Sequence, residues 1–179
     1  SPGKDGGVDI IAFIDPLGTT RTLNVQPRLG VFKADSTIQP AAVGAGTASQ
    51  ALTYDVNGNV ASRTDFRGSR TNYSYDLPRN LETSRTEAVG TSQTRTVTTE
   101  WHPTLRLPTL ITEPGRTTAF THDTQGNVLT KTITDTSTNA ARTWTYTWSA
   151  IGQMLTMDGP RTDVSDVATN TYYPDNDAD

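Results

Sequence analysis

The chain has 179 residues, 33% of them hydrophobic, no cysteine, a formal net charge of −4 and a pI near 5.1. These values exclude disulfide and thiol chemistry and argue against a general nucleic-acid binder, which needs clustered cations to displace counterions. No apolar run approaches a membrane span.

Threonine supplies 34 residues and lysine only three. Threonine is β-branched and suits pleated strands, and a mean hydropathy of −0.53 fits a thin sheet with much solvated surface. The twelve arginines are scattered among Thr and Asp, as on strand faces with cross-strand ion pairs. No window keeps a helical period for more than about a turn. The expectation is an all-β chain.

In chain order, residues 1–25 read as a partial repeat with an N-terminal strand. "DPLG" at 15–18 is its turn, with Asp15 opening it, proline presetting φ and Gly18 closing it. Residues 26–50 break the pattern, and small residues fill their second half. They are read as an irregular insertion or loop. Residues 51–179 read as a regular array of about five units. In the first, a strand ends at Tyr54 and Asn57-Gly58 makes a tight hairpin turn. "DFRG" ends at Gly68 and leads to a strand ending at Tyr75. "RTVTTEW" ends at Trp101. "TEPG" ends at Gly115 and leads to His122, and "DTQGNV" turns at Gly126. "RTWTYTW" (142–148) alternates strictly, with Trp144, Tyr146 and Trp148 on one face and threonines on the other. "SAIGQM" turns at Gly152.

Tyr54, Tyr75, Trp101, His122 and Trp148 therefore form an anchor column, with Tyr173 as a weaker sixth member. The steps are 21, 26, 21, 26 and 25 residues. Gly18, Gly68 and Gly115 each stand seven residues before an anchor position, those of Val25, Tyr75 and His122. Strand-bearing units of this length make a repeat array in which each unit is completed by its neighbours. Stacked units are expected to bring the anchors side by side as an aromatic ladder. The alternative is that the aromatic row is a sugar-stacking platform.

"YDVNGNVASRTDFRGSRTNYSYD", "FIDPLGTTRT", "HDTQGNVLTKTITD" and "TYYPDNDAD" resemble the YD repeats of bacterial Rhs proteins, of insecticidal Tc toxin shell components and of teneurins. The resemblance covers roughly residues 10–25 and 51–179, and the copies at Trp101 and Trp148 are degenerate. It implies an antiparallel hairpin array forming part of a spiralling β-sheet shell. The implied role is structural: a piece of shell enclosing a toxic effector domain for delivery. The implied partners are the remainder of the same shell, the enclosed toxin domain and a secretion-system component. The implied location is secreted or attached to the bacterial surface. A glycan- or receptor-binding module built on the same repeats is the alternative. The family's self-cleaving aspartyl site carries two closely spaced Asp-Pro elements followed by Gly-Leu. Here "DPLG" is followed by "TTRTLN" with no second Asp-Pro nearby, so Asp15 is read as a turn residue and the protease is not carried over.

Other chemistry finds no support in the residues. His102 and His122 are the only histidines and lack metal-site spacing. No G-x-S-x-G elbow occurs. Most aspartates sit where turns need them, and "VGAG" at 43–46 lacks the lysine and context of a phosphate loop. No catalytic residue, metal or cofactor is nominated, and the chain is not expected to be an enzyme. It is expected to be a fragment of a longer polypeptide with open edges near 10–25 and 165–175, prone to self-association.

Overall fold

The structure is a computed structural model that describes residues 9–40 and 47–173. The "VGAG" stretch, the residues before 9 and the Asp-rich end after 173 lie outside the described residues. The chain divides into two units, Ser1–Thr96 and Val97–Asp179.

The first unit holds β1 (Asp9–Ile14), β2 (Thr20–Arg28), β3 (Val31–Gln39), β4 (Ala48–Tyr54), β5 (Val60–Thr64), β6 (Arg70–Asp76) and β7 (Leu81–Glu87). The second holds β9 (Pro108–Glu113), β10 (Arg116–His122), β11 (Val128–Asp135), β12 (Ala141–Trp148), β13 (Met154–Asp158) and β14 (Ala168–Thr169), preceded by β8 (Arg95–Trp101), which starts at the boundary. Within each unit, strands pair antiparallel with their neighbours in sequence. The protein is all-β, an array of antiparallel hairpins with no helix among the described residues.

The stretch 26–50 departs from the irregular insertion or loop expected of it. Residues 26–28 finish β2, 31–39 are β3 and 48–50 begin β4. β3 alternates well enough to pair, with Asn24 opposite Ser36 and Leu23 opposite Thr37. Its few apolar side chains hid it: Phe32 and Val31 are exposed, so the strand carries little hydrophobic pattern.

Each unit is a single sheet layer with little core. Among the described residues the buried hydrophobic side chains are Val25, Leu81 and Val97. The two faces differ in chemistry. In the second unit Thr121, Thr130 and Thr145 share one row, and Thr132 and Thr143 share the next. Hydroxyls meet across strands at 2.7 Å (Thr121–Thr130), 2.9 Å (Thr132–Thr143) and 2.6 Å (Thr147–Thr156). The opposite face carries Phe120, Lys131 and Trp144 in one row, then Tyr146 beside Met157. The first unit repeats this, with Thr53–Ser62 at 2.7 Å on the hydroxyl face and Leu52 beside Arg63 on the other. Without a second layer, cross-strand pairs and backbone ladders supply most of the stabilisation.

The register shifts by one residue at a fixed place in each repeat. The shifts fall at Asn24/Val25, Thr53/Tyr54, Ser74/Tyr75, Glu100/Trp101, Thr121/His122 and Thr147/Trp148. Each is a β-bulge in which one extra residue on the following strand stands opposite the anchor position. Val25 occupies the same place as the aromatics, so the repeat extends into β2 and β3.

Candidate functional site

The Tyr-Asp turn follows the anchor directly and fixes its place. At Asp55 the backbone N–H of Gly58 donates to the Asp55 carbonyl at 3.0 Å, and Asp55 N–H donates to the Asn59 carbonyl at 2.9 Å. One oxygen of the Asp55 carboxylate accepts the N–H groups of Asn57 (2.9 Å) and Asn59 (2.8 Å), and the other accepts the Asn59 amide at 2.9 Å. The turn at Asp123 is built the same way, with Gln125, Gly126 and Asn127 in the corresponding places. Asp15 and Asp65 cap their turns alike, accepting N–H groups at 2.9–3.0 Å. These are Asx turns, in which a short carboxylate replaces backbone partners. Hydrogen bonds led by that from the Asn127 side chain hold the Asp123 carboxyl below its ordinary pKa. At Asp135 the largest cause of the same downward shift is the Ser137 hydroxyl. Partial burial opposes this most strongly at Asp55, yet the bonds from Asn59, Asn57 and Gly58 still bring its carboxyl down. Gly18, Gly58, Gly68, Gly115, Gly126 and Gly152 all have positive φ, between 77° and 92°.

The anchors then reach backwards. Tyr54 donates its phenol to the carbonyl of Ala34 at 2.7 Å. Tyr75 donates to Val60 at 3.0 Å, and Trp148 donates its indole N–H to Val128 at 2.7 Å. The recipients share one position: Ala34 stands opposite Val25, Val60 opposite Tyr54, and Val128 opposite His122. Each of these three anchors therefore caps the carbonyl at the bulge of the preceding repeat.

The reason is geometric. β5 and β6 pair only as far as Ser62 with Asn72, β3 and β4 only as far as Ser36 with Ala51, and β11 and β12 only as far as Thr130 with Thr145. Beyond those points the bulge turns the strand away, and its carbonyls lose their ladder partners. A buried or half-buried carbonyl without a partner is costly. The aromatic side chain is long enough to carry a donor across the gap.

The column is not uniform. In its last copy the contact comes from Tyr172, whose phenol donates to the Met154 carbonyl at 2.8 Å, assisted by the Asn170 amide at 3.1 Å. Tyr173, placed in the column by spacing, is 90% exposed and lies outside the strands. His122 stacks on Phe120 with centroids 6.3 Å apart and meets His102 edge-on at 6.5 Å. Its Nδ1 is buried without a hydrogen-bond partner. His102 turns inward on its own loop, its Nδ1 accepting the N–H of Leu105 at 3.1 Å. Trp101 stands at its bulge opposite Pro108.

The expected aromatic ladder is not how Tyr54, Tyr75 and Trp148 act. Successive anchors lie two strands apart, about 9–10 Å at ordinary strand spacing, which is too far for rings to stack. Their partners are carbonyls and cations. Arg28 and Lys33 sit 5.1 and 5.2 Å from the Tyr54 ring centroid, and Lys131 sits 5.5 Å from that of Trp144. Burial, reinforced by Asp35, raises the Tyr54 phenol pKa, and burial with Glu82 raises that of Tyr75.

Sequence reasoning found the anchors and missed their recipients. A partial signal was present: the recipient follows the previous column position by six residues at Tyr54–Val60 and His122–Val128, though by nine at Val25–Ala34. It also missed a contact between turns, where the Asn57 amide donates to the Leu77 carbonyl at 2.7 Å and to Asn80 Oδ1 at 2.9 Å.

Open hollows lie on the bulky face. One of about 400 Å³ is lined by Gln50, Leu52, Val60, Arg63, Tyr73 and Tyr75. Among the described residues no three His, Cys, Asp or Glu side chains gather as a metal site. No helix among them is long and apolar enough to cross a membrane.

No protein-family model matches the chain, and no curated protein matches it. Solved structures do. A Tc holotoxin pore of Photorhabdus luminescens superimposes with a TM-score of 0.66 at 12% identity over 89% of this chain. The TcdB2–TccC3 complex without its hypervariable C-terminal region gives 0.61 at 13% identity, again over 89%. TcdB2–TccC3 bound to Cdc42 gives 0.57 at 9% identity over 82%. This chain spans only 7–9% of the length of those chains. The likeness is one of fold: the antiparallel hairpin array of this chain recurs within those Tc toxin structures, as the sequence resemblance leads one to expect.

Proposed function

We propose that the chain is a section of shell wall, a non-enzymatic part of a longer secreted polypeptide that encloses a toxic effector domain until delivery. The observation that carries this reading is the backward clasp. Tyr54, Tyr75, Trp148 and Tyr172 each complete the backbone of the repeat before them, so repeats can be added in series without a closing core. A single sheet layer with hydroxyls on one face and aromatics on the other suits a wall between two spaces. The partners on this reading are the adjoining repeats and the enclosed domain, with a secretion-system component for export.

The test uses the parent polypeptide. Electron microscopy and limited proteolysis of the full-length protein should find a hollow shell with the terminal domain protected. A terminal domain cut as fast in the whole protein as when produced alone would refute enclosure.

The hollow beside Tyr73 and Tyr75, with Arg63 at its edge, favours a second reading as a glycan- or receptor-binding surface. A glycan array with the wild type and a folded Tyr73→Ala variant separates the two. Saturable binding that the variant loses supports recognition, and its absence leaves the wall reading alone.

A further inference from the structure

We propose that Asn57 is a site of spontaneous deamidation, and that the reaction releases the contact between the turn at 55–59 and the turn at 76–80 irreversibly. The proposal does not depend on the shell reading.

Asn57 is the single asparagine followed by glycine in the sequence. It is exposed at the tip of its turn. Gly58 has no side chain to shield its backbone nitrogen, so that nitrogen can approach the Asn57 amide carbon. The chemistry needs only hydroxide and water. The Gly58 N–H gives up its proton, the nitrogen bonds to Asn57 Cγ, and the Cγ–Nδ2 bond breaks with loss of ammonia. The resulting five-membered imide adds water at either carbonyl and opens to aspartate or isoaspartate.

The fold controls when this happens. The Gly58 N–H is committed to the Asp55 carbonyl at 3.0 Å. Lys33 donates its ammonium to the Gly58 carbonyl, and Leu29 packs close by, so Gly58 is buried. Attack therefore waits until the turn opens. Once the amide is lost, reclosing fails. Asn57 Nδ2 is the donor to two acceptors, the Leu77 carbonyl (2.7 Å) and Asn80 Oδ1 (2.9 Å). A carboxylate there has no proton to give and meets two oxygens, with the Asp55 carboxylate in the same turn. Rotating the Asn80 amide would restore one contact only by breaking the 3.0 Å bond that it accepts from Asn59. Isoaspartate also lengthens the backbone of a turn that has no slack.

The chain supplies its own control. The turn at Asp123 has the same hydrogen bonds, but Gln125 stands in place of Asn57 before Gly126. Its side chain would have to close a six-membered ring, which is slower.

The test is ageing of the whole chain in mildly alkaline buffer, read by peptide mapping and isoaspartate labelling. Hydrogen exchange is then compared between fresh and aged protein. Position 57 should convert first, ahead of Asn59, Asn80, Asn127 and Gln125. Amides 76–81 should exchange several-fold faster in the aged protein, while those around 123–127 stay unchanged. A Lys33→Ala variant, shown to be folded by circular dichroism, should convert several-fold faster. Conversion elsewhere before position 57, or unchanged exchange at 76–81 after conversion, would overturn the proposal. An unaltered rate in the folded Lys33→Ala variant would overturn the control by the turn.

Discussion

Tyr75 donates its phenol at 3.0 Å to the carbonyl of Val60, and Val60 is the residue that stands opposite Tyr54. One anchor thus satisfies the bulge created at the anchor before it. Trp148 does the same for Val128, opposite His122, with a different ring and a different donor. The requirement at the column is a donor at the right reach rather than tyrosine as such.

Removing the donor while keeping the ring should therefore cost about one hydrogen bond. Tyr75→Phe is expected to lower stability by about 0.5–1.5 kcal/mol, since the Val60 carbonyl loses its partner at a half-buried site. Urea denaturation with an unchanged slope would measure it. A variant as stable as the wild type would mean that water reaches that carbonyl freely.

The converse holds at His122, which has no such bond. By the register of the column its recipient is the Pro108 carbonyl, opposite Trp101. His122→Tyr should supply the missing phenol and raise stability by about 0.5–1.5 kcal/mol. A loss of stability would show that packing against Phe120 and His102 outweighs the gained bond.

Gly58 and Gly126 should not tolerate a side chain. Their φ values are +77° and +92°, and a Cβ would meet Lys33 Nζ at 2.9 Å in the first case and Leu107 Cδ1 at 3.1 Å in the second. Alanine at either position should cost about 1–2 kcal/mol from the left-handed backbone alone. Thermal unfolding of the two variants gives the comparison. Gly126→Ala should lose more, because the end of a lysine side chain moves aside more easily than a packed leucine.

Stability should fall at both ends of the pH scale. The Asp123 and Asp135 carboxyls have folded pKa values below the ordinary 3.8. Their contribution is present above the unfolded value and is lost as pH falls through the folded one. The Tyr54 and Tyr75 phenols have folded values above the ordinary 10.0. Theirs is present below pH 10.0 and is lost as pH rises through the folded values, where the clasp donors ionise. Denaturation midpoints across pH should show both limbs, and Tyr75→Phe should flatten the alkaline one.

The isolated chain should self-associate. On β1, Ile10 is 68% and Ile14 is 70% exposed, and Phe13 and Ile11 are also open to solvent. An apolar strand of that kind recruits another. Light scattering over a concentration series should show growth in mass, and Ile10→Lys together with Ile14→Lys should suppress it. A monomer at every concentration would count against the expectation.

The sequence by itself determined the all-β class and most of the hairpin turns. Alternation in "RTWTYTW" and the Asp-x-x-Gly turns are fixed by contacts within a few residues, so short stretches encode them fully. What the tertiary structure decided lies farther apart. The donors of Tyr54 and Trp148 cross 20 residues to their carbonyls, and that of Tyr75 crosses 15. Which carbonyl is left open depends on where the bulge ends the ladder, a property of two strands in register and not of either alone. The same cause made Tyr172 rather than Tyr173 the last contact, because spacing places a residue in a column but register decides where its side chain reaches. It also recovered β3 from a stretch with little hydrophobic pattern. There the strand is held by its pairing with β2 and β4, and no local signal records partners that lie elsewhere in the chain.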